Sequence, residues 1–133
     1  FVTRKIARAA AQIEAGLQHQ LHLGNLEARR DWGYAPDYVD GMWRMLQAPA
    51  PSDYVLATGT SYSVRDFAKM AFEHVGLDFN EYVRFDPREI RPNEVPDLVG
   101  DFSRAKSKLG WEPTVLVPEL VGIMVDAERA SLI

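Results

Sequence analysis

Tyr54-Val55-Leu56-Ala57-Thr58-Gly59 is a compact apolar run closed by a glycine, the pattern of a β-strand buried on both faces. Such a strand normally lies inside a larger parallel sheet, and the rest of the chain supplies too few strands of that kind to build one. Two architectures remain open. Either the chain makes a small sheet of its own, or this strand takes its partners from elsewhere. The remaining segments mix helices with short strands, which gives an α/β or α+β pattern.

The helices are read from apolar residues at three- and four-residue spacing. Thr3 to Leu17 carries Val2, Ile6, Ala9, Ala10, Ile13 and Leu17 on one side, with Thr3 as N-cap and Gly16 as the left-handed stop. Leu21 to Asn25 alternates as a short strand entering a turn. Pro36 opens a second helix with Tyr38, Val39, Met42, Trp43 and Leu46 on its core face. Ser63 and Asp66 form a capping box for a third helix, lined by Val64, Phe67, Met70, Ala71 and Val75 and ended by Gly76. Tyr82 to Asp86 alternates as a further strand. Asp101 caps a short helix through Leu109, and Pro118 opens a last one with Leu120, Val121, Met124, Val125 and Ala127 inward.

Composition narrows the classes. The 133 residues are one domain's worth, and 47% hydrophobic with 26% charged residues excludes wholesale disorder. A net charge of −4 gives no footprint for nucleic acid or an anionic membrane, and no apolar run approaches the roughly 20 residues that span a bilayer. Without cysteine there are no disulfides or thiolate metal sites, which fits a reducing, cytoplasmic setting. Phe1-Val2-Thr3-Arg4-Lys5 has neither an initiator Met nor the look of a signal peptide, so the chain is expected to be a fragment.

Signatures of catalysis are missing. There is no glycine-rich phosphate loop, nucleophile elbow or Walker motif, and His19, His22 and His74 lack metal-ligand spacing. Two arginine-centred segments stand out: Arg29-Arg30-Asp31-Trp32 between a strand and a helix, and Arg91-Pro92-Asn93-Glu94 around a stiff proline. A diphosphate needs planar, permanent donors, which arginine supplies, and a ribose needs an acceptor such as Glu94. Taken singly, each segment reads first as a surface ion pair, with Trp32 a core aromatic and Pro92 a turn residue.

Taken together they carry a resemblance. The stretches are Phe1 to Ile6, Leu23 to Val39, Ala57-Thr58-Gly59, Ser63 to Phe67, Asp86-Pro87-Arg88, Arg91 to Val95, and Gly100-Asp101 through Leu109-Gly110-Trp111. They resemble the extended short-chain dehydrogenase/reductase family, and the run from Gly24 to Gly33 is similar to its GDP-mannose 4,6-dehydratases.

The resemblance implies an α/β fold: residues 1–133 as the C-terminal, sugar-nucleotide-binding portion, without the N-terminal Rossmann-type cofactor-binding domain. It implies a cytoplasmic lyase of deoxysugar biosynthesis that converts GDP-mannose to GDP-4-keto-6-deoxymannose with NADP, working as a homo-oligomer. The NADP loop and the catalytic residues are expected upstream, so this chain alone is expected to be inactive. Arg30 and Arg91 would hold the diphosphate and Glu94 the ribose hydroxyls. Lys5 and Val2 would meet the nucleotide, and Leu23-Gly24 would lie against the guanine. The Val55 to Gly59 strand would belong to the cofactor-domain sheet. The alternatives are another extended family member, an epimerase or reductase, and a non-catalytic nucleotide-binding or oligomerisation module.

Overall fold

The structure is a computed structural model that describes residues 1–132. Helix α1 (Val2–Glu14) leads to strand β1 (Leu21–Leu23) and strand β2 (Arg29–Arg30), then to helix α2 (Ala35–Gln47). Strand β3 (Tyr62–Ser63) feeds α3 (Val64–His74), and a four-residue helix α4 (Phe79–Tyr82) feeds β4 (Val83–Phe85). A 3-10 turn (Pro87–Glu89), α5 (Ser103–Leu109) and α6 (Val117–Ala130) complete the order.

The core sits where α1, α3 and α6 pack pairwise on one another. Ile6, Phe67, Phe72, Val121 and Val125 are fully buried there. Four alanines of α1, Ala7, Ala9, Ala10 and Ala11, are buried with them, and such small side chains let neighbouring helices approach closely. Local chemistry fixes the helix ends. The Ser63 side chain accepts from the Asp66 amide at 3.0 Å and the Asp66 carboxylate accepts from the Ser63 amide at 3.2 Å, the expected capping box. At the end of α1, Gly16 takes φ +75°. The Leu17 amide then reaches the Gln12 carbonyl at 2.8 Å and the Gly16 amide the Ile13 carbonyl at 3.0 Å, satisfying the last turn.

Sheet structure is minimal among the described residues. β1 pairs in parallel with β4, Leu21 opposite Val83, and the Asp86 amide extends the ladder to the Leu23 carbonyl at 2.8 Å. β2 pairs antiparallel with β3, and Arg29 makes a parallel bridge to Asp97 on its other side.

Several expectations need correction. The run 54–59 forms no ladder and has no strand partners among the described residues, and Val55 is exposed. Of the expected core face of α2 only Tyr38 is partly buried, its ring against Trp111, while Val39 and Met42 are exposed, Trp43 is 60% exposed and Leu46 82%. The side of α2 that is buried carries Asp37 and Gly41 instead. Thr3 is not an N-cap, because α1 begins one residue earlier after Phe1, and Leu17 lies exposed beyond its end. Asp101 stands one residue before the N-cap Phe102, although its carboxylate still accepts from the Ser103 amide at 2.9 Å. Ala127 faces outward on α6.

Asp37 explains how α2 is held. Its carboxylate accepts from the Thr114 hydroxyl at 2.6 Å and from the amides of Thr114 and Val115 at 2.9 and 3.1 Å. The indole of the buried Trp111 donates to its main-chain carbonyl at 2.7 Å. Burial by itself pushes the carboxyl upward, but the three hydrogen bonds outweigh it and hold the group below its ordinary value of 3.8. A lowered folded value means that the stabilisation is fully present above the ordinary aspartate range and is lost as pH falls through the folded value. Asp37→Asn is expected to cost about 1–3 kcal/mol near neutral pH, and the gap to wild type should narrow as the pH falls below the ordinary aspartate range. Urea denaturation at the two pH values checks this; a gap of constant size would refute it.

Candidate functional site

A cleft of about 380 Å³ opens between the first turns of α1, the end of β1, β2 and the 3-10 turn. All seven residues expected at a ligand line it: Val2, Lys5, Leu23, Gly24, Arg30, Arg91 and Glu94. They come from four separate parts of the chain, brought together because β1 pairs with β4 and β2 is flanked by the segment after Glu94.

Arg30 is the best-held cation. Its Nη1 donates to the carbonyls of Arg29 and Val95, each at 2.7 Å, and its Nη2 lies 3.4 Å from Glu94 Oε1. Both members of that pair are about three-quarters buried, at 24% and 22% side-chain exposure. A separation of 3.4 Å is long for a charge-assisted bond, whose usual length is about 2.7–2.9 Å, so the outer face of the guanidinium keeps capacity for a closer oxyanion. The two carbonyl contacts meanwhile fix the direction in which it points.

Lys5 Nζ pairs with Glu89 Oε2 at 3.2 Å across the mouth. Both groups are more than 40% exposed, and ion pairs of that kind are weak enough for an incoming anion to exchange. Arg91 is exposed and has no ion-pair partner among the described residues. Three cations and two carboxylates therefore face the cleft, leaving one positive charge uncommitted.

Residues that the sequence did not assign to the site complete its walls. Trp32, Ala28 and Val64 make an apolar side, and Trp32 stands edge-on against Phe67 with ring centroids 5.2 Å apart. Phe1, Asn25 and Glu89 also reach the cleft. Asn25 shapes the turn below it, its side-chain oxygen accepting from the amides of Glu27 at 3.0 Å and Ala28 at 3.2 Å. At Gly24 a methyl group would come within 2.6 Å of the Glu89 carbonyl carbon and oxygen, so only glycine lets the 3-10 turn close over β1. Arg29, next to Arg30, points elsewhere, to Ser61 and Asp66.

A larger and shallower hollow of about 570 Å³ lies along the other flank of α1, lined by Arg4, Arg8, Gln12 and His22 among others. Arg4 is engaged by Glu128 there, and of the expected residues only Lys5 reaches it. The smaller cleft, with its ordered guanidinium, is the one that gathers all seven expected residues. Among the described residues no helix is long and apolar enough to cross a membrane, and no cluster of His, Asp or Glu suits a metal ion.

Residues 1–124 match the family model described as GDP-mannose 4,6 dehydratase. The chain is similar to GDP-mannose 4,6 dehydratase 1 of Arabidopsis thaliana, 52% identical over 128 residues, covering 96% of this chain and 36% of that protein. It is 45% identical over 145 residues to GDP-mannose 4,6 dehydratase of Homo sapiens, covering 96% of this chain and 39% of the relative. The chain thus spans a little over a third of the length of these relatives. Among solved structures, RMD from Pseudomonas aeruginosa complexed with NADPH superposes with TM-score 0.88 at 20% identity, over 98% of this chain and 43% of its own. UDP-glucose 4-epimerase from Thermotoga maritima with UDP-glucose gives TM-score 0.81 at 26% identity, over 96% and 40%. The fold is that of part of an extended short-chain dehydrogenase/reductase.

Proposed function

The chain belongs to the family of GDP-mannose 4,6 dehydratases, and from that premise we propose that its cleft takes the GDP part of GDP-mannose. The observation that carries the reading is the convergence of Arg30, Arg91, Glu94 and Lys5 on one cleft with an apolar wall. The diphosphate lies between the guanidiniums of Arg30 and Arg91, whose planar donors suit its oxygens. Glu94 accepts from the ribose hydroxyls, an exchange that relaxes its long contact with Arg30. Lys5 leaves Glu89 for the nucleotide, beside Val2, while the Leu23-Gly24 backbone lies against guanine.

The activity proposed for the protein to which these residues contribute is the net loss of water from GDP-mannose to give GDP-4-keto-6-deoxymannose, with NADP. Of the two structural neighbours described above, one is complexed with NADPH and the other with UDP-glucose, and the family relatives are named as dehydratases. The described residues do not fit the cofactor, because no glycine-rich turn among them carries a strand onto a helix N-terminus where a pyrophosphate would sit. Cofactor and acid–base groups are accordingly assigned to other residues of the longer relatives' length. A cytoplasmic, oligomeric enzyme belongs to the same proposal.

Titration calorimetry of GDP into the chain tests the reading. One-site binding is expected, with Arg91→Ala weakening it about tenfold, as for an exposed charged hydrogen bond worth about 1.5 kcal/mol. Absence of GDP binding, or an Arg91→Ala variant with unchanged affinity, would overturn the diphosphate assignment.

A further inference from the structure

Arg30 enters the cleft, and its neighbour Asp31, on the same extended backbone, points to the opposite side. There its carboxylate collects donors from two distant segments. It accepts from the Thr58 amide at 3.0 Å, the Thr58 hydroxyl at 2.5 Å, the Gly59 amide at 3.0 Å and the Gly100 amide at 3.1 Å. All of these are donors, so the position calls for a group that only accepts, which an ionised carboxylate is and an amide is not.

Gly100 closes a segment that runs alongside β2. The Arg30 guanidinium donates to the Val95 carbonyl at 2.7 Å, the Arg29 amide to Pro96 at 2.8 Å, and the Leu98 amide to Arg29 at 3.1 Å. The last rung of that ladder is the Gly100 amide on Asp31. The segment starts at Glu94, three residues after Arg91. The offset of Arg30 from Glu94 and Arg91 is therefore set by a ladder that Asp31 locks at its far end. The same carboxylate anchors the end of the run 54–59, which has no strand partner to hold it. The two anchored segments touch closely: a methyl group at Gly100 would collide with the Ala57 side chain.

We propose that Asp31 is a positioning residue of the nucleotide cleft, acting through Arg30 and the Arg91–Glu94 loop without touching the ligand. The proposal rests on the reading of the cleft as a GDP site. Its test is titration of GDP into the chain carrying Asp31→Asn, with Arg30→Ala and Asp37→Asn measured in parallel. Asp31→Asn is expected to weaken GDP at least tenfold. Asp37→Asn removes another carboxylate held by several donors, three against the four on Asp31, that lines no part of the cleft, and is expected to lower stability while leaving GDP affinity within twofold of wild type.

If Arg30→Ala binds GDP as wild type does, the GDP reading fails and this proposal with it. If Arg30→Ala is weakened but folded Asp31→Asn stays within twofold of wild type, the positioning role alone is overturned. It is likewise overturned if Asp37→Asn weakens GDP as much as Asp31→Asn, since general destabilisation would then account for both. Should Asp31→Asn not fold, Thr58 decides. Thr58→Val removes one donor and is expected to weaken GDP several-fold, whereas Thr58→Ser keeps the hydroxyl and should match wild type. Equal affinity of Thr58→Val and wild type would overturn the proposal.

Discussion

Arg30→Ala is expected to weaken GDP binding by about 2–5 kcal/mol, the range for removing one partner of a desolvated charge contact. Two effects combine. The diphosphate loses a guanidinium already aimed by the Arg29 and Val95 carbonyls, so it loses a donor that pays little ordering entropy on binding. Glu94, itself three-quarters buried, loses its cation and turns an unpaired negative charge toward an anionic ligand. Arg30→Lys restores charge but not the planar fork, and should recover only part of the loss. Because Arg30 and Glu94 are in contact, the effects of Arg30→Ala and Glu94→Gln should not add. Calorimetric titration of the four species measures both points, and an Arg30→Ala variant with wild-type affinity would remove Arg30 from the site.

Phe67→Ala should have the largest effect on the fold, about 3–5 kcal/mol as for other large-to-small changes at buried aromatics. Phe67, on α3, is wholly buried in the core, and its ring is the surface on which Trp32 stands. The loss is a sizeable part of the total of roughly 5–15 kcal/mol available to a domain. Since Trp32 lines the cleft, the cavity beneath it should also loosen the apolar wall. Phe67→Leu, which keeps most of the volume, is expected to cost less than about 2 kcal/mol. Denaturant unfolding of the pair separates the cases, and a loss below about 1 kcal/mol for Phe67→Ala would show that the ring is not a keystone of this core.

What could be read from the residues was mostly what is local. The capping box at Ser63 and the glycine stops at Gly16 and Gly76 depend on neighbours a few positions away, and each is found as expected. The face of α2 was legible as apolar but not as exposed. Helical periodicity reports that a stripe is suited to burial; it does not say that the burying surface lies within the same residues. The run 54–59 failed as a strand in this chain for the same reason, since a ladder needs a partner and the pattern names none.

Long-range pairing was not legible. β1 and β4 are three residues each and lie some sixty positions apart, too short to set a register by pattern alone. Asp31 and Asp37 look like ordinary aspartates in the sequence, and their donors stand 27 to 78 residues away. The segments of Arg30, Arg91 and Glu94 stood out by their chemistry, Val2, Lys5, Leu23 and Gly24 were named through family resemblance, and the geometry brings all seven around one cleft. Trp32 and Glu89 went unassigned because an aromatic beside a core position and a glutamate in a charged loop have commoner explanations.

The outward row on α2 has a practical consequence at the bench. Val39, Met42, Trp43 and Leu46 stand in water on one helix, and exposed apolar patches of that kind drive colloidal association. Dilute samples should behave, whereas concentrated ones should scatter light and lose titratable sites. A fitted stoichiometry below one GDP per chain would then report on clumping before it reported on the cleft. Light scattering beside every titration tells the two apart.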